Sequence, residues 1–130
     1  MAMQKELRSD LGRARGLGSA KEGVGHWWRQ RLTALALIPL SLWFVASVVF
    51  LTDTDHATAV AWLGSPVTLG LMVLFLGTTF YHAALGMQVV IEDYVSNHGC
   101  RTALIVLTNF ACFALMVAAV ISLLVIAFGG

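Results

Sequence analysis

The chain has 130 residues, of which 58% are hydrophobic and 12% charged, with a formal net charge of +1. A soluble domain carries about 25% charged residues, and so short a chain has too high a surface-to-volume ratio to hide that much apolar surface from water. A mean hydropathy of +0.82 excludes a soluble globule and a disordered chain, and the small net charge excludes nucleic acid as a partner, which leaves a membrane protein.

The charges are segregated along the chain. Seven of the eight Lys and Arg residues lie at or before Arg31, and the eighth is Arg101. Residues 1–28, with glycines at 12, 16, 18, 23 and 25, read as a cytoplasmic N-terminal arm. A secretory signal is the competing reading, but the apolar run starts only at Leu32 and is too long for a signal core. Three stretches then carry no formal charge, at 32–52, 56–91 and 102–130. A hydrocarbon core of roughly 30 Å needs about 20 apolar helical residues. The first and third stretches each supply one span, and Ser65-Pro66, a helix cap followed by a first-turn proline, divides the second. The spacing predicts an all-α membrane protein with three transmembrane helices near 29–51, 66–93 and 102–127, joined by loops at 52–65 and 94–101.

Residues 1–31 carry seven basic and three acidic side chains, a net of +4, whereas the 52–65 loop has Asp53 and Asp55 and no Lys or Arg. By the positive-inside rule the N-terminus is cytoplasmic and the C-terminus periplasmic. Trp27 and Trp28 are expected at the inner interface, Trp62 near the outer one, and Trp43 in packing. Pro39 is expected to kink the first helix modestly. Cys100 and Cys112 support neither a disulfide nor a metal site.

Within the spans a single side chain ionises near neutral pH, His82, in Phe80-Tyr81-His82-Ala83-Ala84-Leu85-Gly86. A polar group in the bilayer is costly and marks a function with a partner; the plainer alternative is an imidazole that hydrogen-bonds a neighbouring helix. Ala83 and Gly86 beside it would admit either a helix backbone or a flat macrocycle, and haem iron takes a neutral imidazole as axial ligand. Asp93 lies 11 residues after His82, which is three turns plus about 20° and a rise of roughly 16 Å. The two therefore share a face, one mid-membrane and one at the inner surface. Arg31 is expected at the level of Asp93 and Tyr94, where it would pair with a propionate, with Asp93 or with lipid phosphate. Taken singly, Arg31 also fits a lipid-facing anchor, and Tyr94 and His26 fit belt residues.

His82-x3-Gly86-x6-Asp93-Tyr94 and the segment Gly25-His26-Trp27-Trp28-Arg29-Gln30-Arg31-Leu32-Thr33-Ala34 resemble signatures of the small hydrophobic membrane-anchor subunit of succinate dehydrogenase, respiratory complex II, in its alphaproteobacterial form. The resemblance implies that His82 is an axial ligand of haem b, with the second ligand supplied by the other anchor subunit, a cytochrome b-type partner. It implies that Arg31 contacts the propionate region, that Tyr94 hydrogen-bonds a ubiquinone carbonyl and that Asp93 is the acid beside it. His26 matches only loosely, offset by one position. The implied partners are the cytochrome b-type anchor, an iron–sulfur protein, a flavoprotein, ubiquinone and membrane lipid, and the implied location is the bacterial inner membrane, crossed more than once. Alternatives are an independent small b-type cytochrome, a fumarate reductase anchor, or a small transporter or scaffold. A transporter is disfavoured because no formal charge lies inside the spans.

Overall fold

The computed structural model describes residues 21–129, and side chains from Gly23 onward. Within them lie four helices and no strand: α1 (Lys21–Leu51), α2 (His56–Gly64), α3 (Pro66–Tyr94) and α4 (His98–Gly129). Three are long and apolar enough to cross a bilayer, over Gly23–Leu51, Pro66–Tyr94 and His98–Gly129. At 1.5 Å per residue these run about 43–48 Å, more than the roughly 30 Å hydrocarbon core, so their ends enter the headgroup zone.

That excess length corrects three boundaries. α1 begins at Lys21, not near residue 29, so residues 21–28 are helical where an arm was expected; residues 1–20 of that arm lie outside the described residues. α4 begins at His98 and ends at Gly129, not at 102 and 127. Formal charges mark where hydrocarbon stops, and helices continue past that point. α1 also continues unbroken through Pro39.

The 52–65 segment, expected as a loop, contains α2. Asp55 caps it, accepting from the Thr58 backbone N–H at 3.0 Å. Bonds from Thr58 hold the Asp55 carboxyl below the ordinary aspartate range, the largest contribution coming through the side chain. Ser65 and Pro66 open α3 as predicted, although the Ser65 hydroxyl bonds the Trp62 carbonyl at 3.0 Å and the Thr68 hydroxyl at 2.7 Å instead of a backbone N–H.

Between α3 and α4 only residues 95–97 are non-helical. Asn97 Oδ1 accepts from the Cys100 N–H at 3.1 Å, and Arg101 Nε donates to the Val95 carbonyl at 2.9 Å. The last cation of the sequence therefore closes a turn.

α3 is central, with α1 packed on one side and α4 on the other, while α2 lies against α3 and α4. Aromatic rings join α1 to the others, Phe44 stacking on Phe75 at 4.9 Å and Trp43 on Trp62 at 5.9 Å between centroids. Trp43 thus packs as expected. At Gly64 an added Cβ would lie 3.3 Å from the Ala127 carbonyl oxygen, so glycine there lets α2 approach α4. Little else is covered. Among the described residues the buried apolar ones are Leu40, Leu85, Ile91 and Leu123, while α1 leaves Leu35, Leu42 and Phe50 exposed. In hydrocarbon such exposure costs nothing, because lipid is as apolar as the side chains it touches.

Candidate functional site

His82 lies just past the middle of α3, and its partner is on α1. The Thr33 hydroxyl lies 2.8 Å from His82 Nδ1. The same hydroxyl oxygen is 2.7 Å from the Arg29 carbonyl and 3.1 Å from that of Gln30. Nε2 of His82 has no hydrogen-bond partner among the described residues. An imidazole with one nitrogen anchored and the other free is suited to ligating a metal. One imidazole makes one axial bond, and among the described residues no group of three or more His, Cys, Asp or Glu is assembled for a metal.

Gly86, one turn from His82, faces α1: a Cβ there would stand 3.8 Å from Gln30 Nε2. Of the two uses of small residues beside His82, helix approach is the one observed within this chain. Tertiary pairing was not readable from α3 alone, and Thr33 was missed because its hydroxyl looks like an ordinary helix hydroxyl bonding back one turn. The signal available was that Thr33 is a polar residue at the second position of the apolar run that starts at Leu32.

The Thr33–His82 bond also sets the register of two antiparallel helices. It puts Arg31 opposite Ala84 and the beginning of α1, at 21–22, opposite Asp93. The expectation that Arg31 shares the level of Asp93 and Tyr94 is thereby corrected, by nine residues or about 13 Å along the helix. The reason is the early start of α1, which moves residue 31 into the interior of the helix. The Arg31 guanidinium bends back toward the helix start, its Cζ 5.5 Å from the centre of the exposed Trp27 ring, a cation–π contact that shields a charge in an apolar setting.

Tyr94 is 86% exposed and Asp93 is exposed as well, both at the C-terminal end of α3. They meet neither His82 nor Arg31 within this chain.

A cavity of about 580 Å³ opens between α1, α3 and α4. His26, Arg29, Gln88 and Asn109 give it polar walls, and Phe80 and Phe113 apolar ones. His26 Nε2 is buried there without a hydrogen-bond partner. Arg29 Nε donates to the Gly25 carbonyl at 3.2 Å, and Gln88 Nε2 to Glu92 Oε1 at 2.9 Å. Of the site residues expected from the sequence, His26 alone lines this cavity; Arg29 and Gln88 were missed. Arg29 was hidden by its neighbour Arg31, because only the helical phase separates an arginine facing the cavity from one facing outward.

Comparison with known proteins agrees with this anatomy. Residues 4–127 match the family described as succinate dehydrogenase/fumarate reductase transmembrane subunit. The chain is similar to the succinate dehydrogenase hydrophobic membrane anchor subunit of Rickettsia bellii, 35% identical over 92% of this chain and 96% of the relative. It is similar also to that of Rickettsia conorii, at 34% identity over 93% and 97%. The subunit of the same name from Paracoccus denitrificans is 32% identical over 85% and 84%.

Proposed function

This chain belongs to the succinate dehydrogenase/fumarate reductase transmembrane-subunit family, and from that premise we propose that it anchors a succinate:quinone oxidoreductase while lending His82 to haem b and Tyr94 and Asp93 to a ubiquinone-reduction site. The observation that carries the reading is the intramembrane imidazole held at Nδ1 with Nε2 free. Those atoms fit the group: a neutral Nε2 lone pair is what haem iron accepts, and a single donor on this chain suits a haem shared with a second, cytochrome b-type anchor.

The haem, when bound, supplies a reversible one-electron carrier next to the quinone. The work of this chain is placement and charge. His82 presents Nε2; Arg31, and more loosely His26, offer positive or donor groups for propionate carboxylates. Electrons from succinate arrive through a flavoprotein and an iron–sulfur protein seated on the cytoplasmic face. Reducing ubiquinone to ubiquinol takes two electrons and two protons. The Tyr94 hydroxyl donates a hydrogen bond to a quinone carbonyl, and Asp93, at the water-facing end of α3, relays protons to it. The chain lies in the bacterial inner membrane with its N-terminus in the cytoplasm and its C-terminus in the periplasm.

The test is His82→Leu in the purified complex, read by the reduced-minus-oxidised spectrum. Loss of the haem signal with all partner chains still co-purifying is expected, since anchoring rests on three apolar helices. Unchanged low-spin, bis-histidine haem would overturn the assignment.

A further inference from the structure

We infer that Thr33 is a positioning residue that fixes the tautomer of His82, placing the proton on Nδ1 and the lone pair on Nε2. The inference deepens, and rests on, the reading of His82 as a haem ligand. The argument is a count of hydrogens. A threonine hydroxyl has one proton to donate and two lone pairs to accept with. Thr33 Oγ1 stands 2.7 Å from the Arg29 carbonyl and 3.1 Å from the Gln30 carbonyl. Carbonyl oxygens only accept, and two oxygens at 2.7 Å need a proton between them. The single hydroxyl proton is therefore committed to the backbone of α1. At 2.8 Å from Nδ1, the hydroxyl oxygen is left only as an acceptor, so Nδ1 must carry the hydrogen. A neutral imidazole has one N–H, which leaves Nε2 bare.

The arrangement makes the backbone of α1 the outer support of a ligand carried on α3. Arg29 C=O, Thr33 Oγ1 and His82 form a chain in which each bond orients the next. A hydrogen bond from Nδ1–H also raises the electron donation of Nε2, which favours the oxidised iron and lowers the potential.

The complex carrying Thr33→Val is compared with wild type and with Thr33→Ser. Expected for Thr33→Val are a higher haem midpoint potential, a changed low-spin EPR signal, and affinity for added haem lower by on the order of 10- to 100-fold. Thr33→Ser, which keeps the hydroxyl, restores all three. If Thr33→Val matches wild type in potential and EPR signal, the positioning role is overturned. Should Thr33→Val fail to assemble, nitrogen-15 NMR of the full chain in bilayers prepared without haem decides the matter. A protonated Nδ1 and bare Nε2 at His82 are expected, and the opposite tautomer overturns the proposal. His82→Leu separates the two levels of the argument. If it keeps the haem, the ligand reading falls; if it loses the haem while Thr33→Val behaves as wild type, only the role of Thr33 falls.

Discussion

A tyrosine that is 86% exposed at the end of a transmembrane helix is either an interfacial anchor or half of a site, and substitution tells the two apart. Under the proposed function, Tyr94→Phe removes one hydrogen bond to a quinone carbonyl. The loss of about 1–3 kcal/mol should lower quinone-reductase turnover roughly five- to 150-fold. Succinate oxidation with an artificial acceptor that draws electrons upstream should stay unchanged; equal activity in both assays would make Tyr94 an anchor only. The placement of His82, Asp93 and Tyr94 on one helix was legible in the sequence, because it depends only on spacing within α3. The placement of Thr33 beside His82 and of Arg29 in the cavity was not legible, since both depend on which α1 residue faces which α3 residue. Two arginines two positions apart differ by about 200° around a helix, and nothing in composition says which of them turns inward.

Among the elements, the three spans follow from charge segregation, and their outer limits do not. α2 was hidden by Asp53, Asp55 and His56, which look like loop polarity until Asp55 is seen as a cap. The cap has a pH signature. Because the folded Asp55 carboxyl is held below its ordinary range, its stabilisation of α2 is complete above the ordinary aspartate pKa. It is lost as pH falls through the lowered folded value, when the carboxylate that accepts from Thr58 is protonated. Amide protection factors in the first turn of α2 should therefore hold steady from neutral pH down to the carboxylate range and fall below it. Asp55→Ala should show low protection at every pH. Protection in that variant equal to wild type would mean that packing against α3 and α4, and not the cap, holds α2 in place.

At the scale of the whole molecule, seven of eight basic side chains precede the first apolar run and the 52–65 segment has none, which predicts the N-terminus inside and the C-terminus outside. A reporter active only in the cytoplasm, fused after Gly130, should be silent; activity would mean a wrong orientation or a wrong number of spans. The turn closed by Asn97 and Arg101 adds a consequence for biogenesis. Its three residues reach only about 10 Å when fully extended, a third of the hydrocarbon thickness. With so short a turn, α4 must cross the membrane in the direction opposite to α3, and the two form one helical hairpin. The hairpin spans the 64 residues from Pro66 to Gly129, and its two arms are tied in orientation. Whatever decides the direction of α3 has already decided that of α4, and a change in flanking charge would invert the pair together instead of leaving a half-threaded chain.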